Sequence, residues 1–211
     1  MPTAREALLD AALAALARRP WSAVRMADLA AAARVSRQTL YNEFGSKEGL
    51  ARALVRHEAD AYLDGVRRLL PGPEPSARDL AAVAAWTVAR AGDRPILRSL
   101  LTGAWTEGLP RPRPVRPGAP PAPVPAQRRA DAGPPAPGEL LAATARCAGE
   151  RRAAGCELAL RLAVSHVVAP ALPTADQCAE PDSWRPMTPT MTKVIETILS
   201  VETRSPRNTM P

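Results

Sequence analysis

Apolar and polar positions near the start of the chain follow the period of an α-helix. Leu9, Leu13 and Leu16 recur at intervals of three and four residues, and most positions between them are Ala. Thr3 precedes this run as a helix-capping residue, and Pro20 follows it as a residue through which helices do not continue. The pattern predicts a first helix between these two residues.

Two short helices and a long one are predicted next. Residues 26–33 carry one apolar face, and residues 36–44 carry a second behind a Ser cap. Gly45 supplies a left-handed closing residue, and Ser46 caps a third helix whose apolar stripe continues without proline to about Leu70. The pattern is typical of two helices joined by a tight turn and followed by a helix long enough to connect two domains.

The chain beyond residue 70 is predicted to be helical with an interruption. Ser76 and Asp79 have the spacing of a capping box, and another helix is expected after Pro95. Between Pro110 and Pro137 lie 11 of the chain's 24 prolines, and no helical or strand period survives there. We expect residues 105–138 to be disordered. Helical spacing returns over residues 140–153, 156–169 and 194–199.

Composition points to the same fold class. Hydrophobic residues make up 46% of the chain but aromatic residues only 3%, so any core is built from Ala, Leu and Val. Such a core favours helices over sheets. Pattern and composition together therefore predict an all-α protein.

Charge and cysteine content limit the partners and the compartment. The formal net charge of +7 suits a polyanionic partner. Cys147, Cys156 and Cys178 are odd in number and lack metal-type spacing, so we expect no disulfide framework, no metal and no cofactor. The acids Glu6 and Asp10 stand where a signal peptide is basic and then apolar, and no apolar run reaches the roughly 20 residues that cross a bilayer. These features predict a cytoplasmic protein.

The segment from Ala27 to Phe44 has the arrangement with which a helix-turn-helix reads DNA. Apolar side chains of its two helices can face each other, which leaves a polar set outside: Arg37, Gln38, Thr39, Tyr41 and Asn42. Arg and Tyr side chains and the amides behind Ser36 suit phosphates, whereas Gln38 and Asn42 can pair bidentately with adenine. Thr39 can touch a thymine methyl group. Lys47 adds a positive charge that can contact the DNA backbone at a second place.

The same residues carry a family resemblance. The run Met26-Ala27-Asp28-Leu29-Ala30, followed by Val-Ser-Arg-Gln-Thr-Leu-Tyr-Asn-Glu-Phe-Gly-Ser-Lys-Glu-Gly-Leu over residues 35–50, resembles the N-terminal domain of TetR/AcrR-like regulators. The resemblance spans roughly residues 5–56. In that family the matching positions commonly face DNA: Arg25, Ser36, Arg37, Gln38, Thr39, Tyr41, Asn42 and Lys47.

The resemblance implies a two-domain organisation. A helix-turn-helix DNA-binding domain, residues 1–56, is joined by a long helix to a larger helical domain for ligand binding and dimerisation, residues 57–211. The protein would act as a homodimeric repressor released from its operator by a small molecule. Trp86 and Trp105 are candidate ligand contacts, although an aromatic residue among Ala and Leu more often packs in a core. The dimer interface is expected within Leu158–Val168 and residues 194–199.

Two features depart from the family pattern. Arg34 stands where the turn usually has Gly, which accepts a positive φ without strain; Arg34 either costs stability or adds a phosphate contact. The stretch from Trp105 to Pro137 is Pro-, Arg- and Ala-rich where the family is continuously helical, like an out-of-frame reading of GC-rich DNA. We therefore consider the hypothesis that compensating frameshifts produced this stretch. The alternative function is therefore a DNA-binding protein with a disrupted C-terminal domain that responds to no ligand.

An enzyme acting on DNA is the other class considered. Such an enzyme needs clustered acids or a placed nucleophile. Asp176, Glu180 and Asp182 form the close acidic group of the C-terminal half, but they lie in an irregular segment without a supporting His. The lone residues His57 and His166 are typical of structural or solvated histidines. The sequence therefore does not predict an enzyme or a catalytic residue.

Overall fold

The computed structural model describes residues 3–72, 74–112, 135–169 and 189–202. All regular structure in these ranges is helical, as the sequence predicts. The helices are α1 Ala4–Leu16, a short 3-10 turn Trp21–Ala23, α2 Met26–Ala32, α3 Arg37–Phe44, α4 Lys47–Leu69, α5 Ala77–Asp93, α6 Pro95–Thr102, α7 Pro137–Cys147, α8 Ala153–Val168 and α9 Pro189–Glu202.

The described residues form two compact units. The first contains those up to Ala61 together with those from Gly103 to Ala136, and the second contains those from Tyr62 to Thr102 and from Pro137 onward. The division falls between Ala61 and Tyr62, inside α4, and the described residues after α6 group with the first unit.

The predicted disordered stretch is described only at its two ends. Residues 105–112 form no helix, and α7 begins at Pro137, so the last two positions of the stretch are helical. Residues 113–134 lie outside the described residues, as do Cys178 and the acids Asp176, Glu180 and Asp182.

Two helix starts are fixed by the capping residues that the sequence indicates. Glu6 N–H donates to Thr3 Oγ1 at 3.2 Å, and Thr3 N–H donates to Glu6 Oε2 at 2.7 Å. Ser76 and Asp79 repeat this exchange at the start of α5. The side-chain and backbone hydrogen bonds from Ser76 lower the pKa of Asp79, because they favour its charged form.

The first unit is a three-helix core completed by the start of α4. α1 packs on α2 and α3, and α2 packs on α3. The Arg5 guanidinium lies 4.7 Å from the centre of the Phe44 ring and contacts the Glu43 carboxylate at 3.5 Å, which fastens α1 to the end of α3. The buried side chains include Leu8, Leu9, Ala12, Val24, Leu29, Ala30, Leu40, Phe44, Leu50 and Leu54.

The second unit is a helical bundle in which α5 packs against α8 and α9, while α7 packs against α6 and α8. Its interior includes a pair of hydroxyl groups among aliphatic side chains. The Tyr62 hydroxyl is 3.0 Å from Thr87 Oγ1, and burial raises the pKa of Tyr62 to about 12. The Tyr62 ring stacks on Trp86 at 5.6 Å. Leu69 belongs to the apolar stripe that the sequence predicts for α4, but its side chain is exposed.

We expect Gly65→Ala to destabilise the second unit. A Cβ at position 65 would lie 2.3 Å from Cη2 of Trp86, so the indole must move and lose its stacking on Tyr62. Overpacking of this kind costs about 1–3 kcal/mol of unfolding free energy. Thermal unfolding of the single variant, and of the same change in a Trp86→Leu background, measures it. An equal cost in both backgrounds would contradict the proposed clash.

Candidate nucleic-acid interface

Helix α3 is held by one apolar face and presents the other to solvent. Leu40 and Phe44 are buried, and they pack where Leu29 and Ala30 of α2 are also buried. This is the packing predicted for the helix-turn-helix. It fixes the direction of α3 through side chains that play no part in the exposed face.

The turn between α2 and α3 closes with a backbone motif that requires a left-handed residue. Arg34 has φ 56°, its N–H donates to Ala31 O at 3.1 Å, and Val35 N–H donates to Ala30 O at 3.0 Å. Arg34, which replaces the Gly usual in the family, therefore stands at a position where the turn requires a left-handed backbone. The position adopts the positive φ for which glycine is suited.

The exposed face of α3 is ordered by two side-chain pairs. Ser36 Oγ accepts from Thr39 N–H at 2.9 Å, which confirms its capping role, and lies 2.8 Å from Thr39 Oγ1. Gln38 Nε2 donates to Asn42 Oδ1 at 2.8 Å. Gln38 thereby keeps its carbonyl oxygen and one N–H for other partners, the combination that adenine recognition uses.

All the candidate DNA contacts lie within the first unit, on α3, at the residues immediately before α2 and α3, and at the start of α4. Thr39 and Lys47 are half-buried, and Tyr41 is 46% exposed although it is a large aromatic residue. The remaining candidates are exposed: Arg25, Ser36, Arg37, Gln38 and Asn42.

Lys47 has a structural contact that the sequence did not indicate. Its ammonium donates to Ser22 O at 3.1 Å and lies 5.4 Å from the centre of the Trp21 ring, so it ties the 3-10 turn to the start of α4. Burial lowers its pKa. An ammonium group has three donors, and those not used by Ser22 remain for a phosphate.

The junction between α3 and α4 depends on two glycines. Gly45 has φ 70°, which ends α3 as predicted. Ser46 Oγ accepts from Gly49 N–H at 3.1 Å, and a Cβ at Gly49 would lie only 1.9 Å from Phe44 O. The structural role of Gly49 was not predicted from the sequence. The available signal was an isolated glycine in the first turn of an otherwise unbroken helix.

The structure does not bring the two candidate ligand contacts into one unit. Trp86 is half-buried on Tyr62 in the second unit, whereas Trp105 is half-buried in the first. A surface depression of about 490 Å³ lies elsewhere, along α9, and its described lining residues are Pro189, Lys193, Val194, Thr197 and Ile198. Ligand binding by either Trp stays a prediction.

The described ranges contain neither a candidate metal centre nor a candidate membrane-spanning helix. In that part of the chain, no three His, Cys, Asp or Glu side chains gather in a group suited to a metal ion. None of the helices there combines the length and the apolar character needed to span a membrane.

The part of the chain that contains the interface is similar to known proteins. Residues 8–54 match the family model for bacterial regulatory proteins of the tetR family. The chain is 47% identical over 66 residues to the HTH-type transcriptional regulator AlkX of Mycobacterium tuberculosis, and this match covers 31% of each protein. It therefore spans less than a third of that relative.

A solved structure extends the likeness to the fold of the whole chain. The crystal structure of the TetR family repressor AlkX from a Dietzia species, implicated in biodegradation of n-alkanes, covers 95% of both chains with a TM-score of 0.50. Its sequence identity of 22% limits this likeness to the fold.

Proposed function

We propose that this chain, whose residues 8–54 match the family model for bacterial regulatory proteins of the tetR family, is a transcriptional repressor that binds an operator as a homodimer. The observation that carries the proposal is the exposed polar face of α3 on a helix whose other face is buried. A helix presented in this way fits the major groove of DNA.

The contacts divide into two kinds. Arg25, Arg37 and Tyr41 donate to phosphates on either side of the groove and set the position of α3. Gln38 and Asn42 read base edges, and the hydrogen bond between them orients both amides before DNA arrives. Lys47 adds a phosphate contact from the start of α4 while its link to Ser22 holds it in place.

The dimer interface is proposed to lie on α8 and α9. Val168, Val194 and Ile198 are 66%, 44% and 39% exposed, respectively. Val194 and Ile198 are four residues apart and share a face of α9, while Ile195 and Leu199 point into the bundle. An exposed apolar face of this kind is suited to a second copy of the same surface.

We expect Ile198→Glu to convert the dimer to a monomer. A carboxylate buried without a partner at the centre of an interface costs several kcal/mol, which corresponds to a loss of affinity of at least 100-fold. Light scattering across a protein dilution series measures the change. Ala82→Glu, at an exposed position of α5, is the matched control and should remain dimeric. An Ile198→Glu protein that stays dimeric would move the interface elsewhere.

Release by a small molecule is the second part of the proposal. The ligand is proposed to bind in the second unit, because small-molecule sites are mainly apolar with a few polar groups. Tyr62, Thr87 and Trp86 supply such groups among aliphatic side chains. Binding there would weaken the operator complex by favouring another arrangement of the protein.

One observation favours the alternative of a DNA-binding protein that responds to no ligand. The space beside Tyr62 is filled by the Trp86 ring, which lies directly against Gly65. In this alternative the second unit serves dimerisation alone.

A repression assay with added metabolites tests the proposal and separates it from the alternative. A reporter controlled by DNA that the protein selects from a random library should be silenced by the wild-type chain. Relief by an apolar or amphipathic metabolite, with matching release of purified protein from the same DNA, supports the sensor. Silencing that no compound in a broad library relieves supports the alternative, and a reporter that is never silenced would refute repression.

A further inference from the structure

Arg34 occupies the most unfavourable backbone position of the helix-turn-helix. Its φ of 56° is left-handed, and it is the sole non-glycine residue with a positive φ among the residues that the structure describes. The left-handed region disfavours residues with a Cβ, and glycine or asparagine enters it more readily. A residue kept at such a position points to a function of its side chain.

The side chain of Arg34 has no structural task in the described part of the chain. It is exposed, and no ion pair or hydrogen bond of its guanidinium to another described residue is present. Other arginines of this unit are engaged: Arg5 contacts Glu43 and Phe44, and Arg19 contacts Asp28 at 3.2 Å. The strain at Arg34 is therefore not offset by a side-chain contact with another residue in the described ranges.

The surroundings of Arg34 favour an anion as a binding partner. Arg34 lies two residues before Ser36, whose cap marks the start of α3, and three residues before the exposed Arg37. The N–H groups at a helix start carry partial positive charge, so they do not stabilise a cation that lies beside them. An anion placed there would interact with both the guanidinium and the helix start.

We propose that Arg34 binds a backbone phosphate of the operator from the turn of the helix-turn-helix. The inference rests on the proposed DNA-binding function and adds a contact to it. Arg34 acts with Arg37 at one edge of the groove, and it positions α3 without reading sequence. The strain of its backbone is thereby retained for the sake of the phosphate contact.

The test uses stability and DNA binding together, because the inference predicts opposite changes in the two. Arg34→Gly should raise the unfolding midpoint of the full chain by about 2–6 °C, since glycine relieves the positive φ. The same variant should bind library-selected DNA roughly 5-fold or more weakly at 0.15 M salt. It should also lower the slope of log affinity against log salt by about 1 per bound protomer.

Further variants keep the outcome clear. Arg34→Lys retains the charge and should bind nearly as the wild type does, whereas Arg34→Gln should lose affinity as Arg34→Gly does. Arg68→Gln removes one charge from an exposed position of the second unit and is the matched control with an unchanged slope. Unchanged affinity and slope in Arg34→Gly and Arg34→Gln, with specific binding by the wild type, would overturn the inference alone. No specific binding by the wild type would overturn the proposed function itself.

Discussion

Gly49→Ala is expected to abolish specific DNA binding and to destabilise the first unit by about 2–4 kcal/mol. A Cβ at this position would stand 1.9 Å from Phe44 O, an atom of the backbone that no side-chain rotation can move away. Either the end of α3 or the start of α4 must shift. A shift of α3 misplaces the whole exposed face, so binding fails together with stability. Thermal unfolding and fluorescence anisotropy with library-selected DNA measure the two effects.

The control for this change is Gly138→Ala. A Cβ at Gly138 has no atom within 4 Å, and the position lies in the first turn of α7, where Ala is well accepted. Its stability and DNA affinity should equal or exceed those of the wild type. A Gly49→Ala protein as stable and as tightly bound as Gly138→Ala would contradict the close approach between α3 and α4.

Replacing Gln38 and Asn42 together by Ala is expected to remove sequence preference and leave nonspecific binding intact. Each bidentate contact to a base is worth about 1–3 kcal/mol of discrimination, so the double variant should lose at least 30-fold in affinity for selected DNA. Its affinity for unrelated DNA and its salt slope should stay as they are, because no phosphate contact is lost. Competition between selected and unrelated duplexes measures both quantities.

Two other variants separate base reading from positioning. Arg37→Ala should weaken binding to every duplex and lower the salt slope, the opposite signature to the amide pair. The double change Asp64→Ala with Arg67→Ala removes another exposed helical pair, joined at 2.6 Å, and should leave binding unchanged. An amide double variant that keeps its full preference for selected DNA would assign base reading to other residues.

The described helices could largely be predicted because residues close in sequence determine where each helix begins and ends. Thr3 with Glu6, and Ser76 with Asp79, form the capping boxes that their spacing indicates. Gly45 has the positive φ expected of a residue that ends a helix. Such signals involve residues three or four positions apart. They can therefore be recognised in the sequence without knowledge of the tertiary structure.

Features that depend on distant parts of the chain could not be predicted. The grouping of residues 103–112 with the first unit includes a hydrogen bond from Trp21 N–H to Gly108 O at 2.9 Å, and no local pattern announces it. The engagement of Lys47 by Ser22 is also nonlocal. The placement of Trp86 and Trp105 in separate units is nonlocal as well, and ligand binding by either residue stays a prediction.

At the candidate interface, the sequence indicated which side chains are exposed but not how they are arranged. Period 3.6 alone separates the buried Leu40 and Phe44 from the exposed Gln38 and Asn42. The hydrogen bond between the two amides and the left-handed turn at Arg34 needed coordinates. The requirement for Gly49 is of the same kind, since it depends on where the Phe44 carbonyl lies.

The affinity ratio between selected and unrelated duplexes measures whether α3 of a dimer reads a specific DNA sequence. We expect a ratio of roughly 10³ or more near 0.15 M salt, with two protomers per duplex by light scattering and half-sites about one helical turn apart. A chain that binds both duplexes equally, with affinity that salt alone controls, would contradict the account.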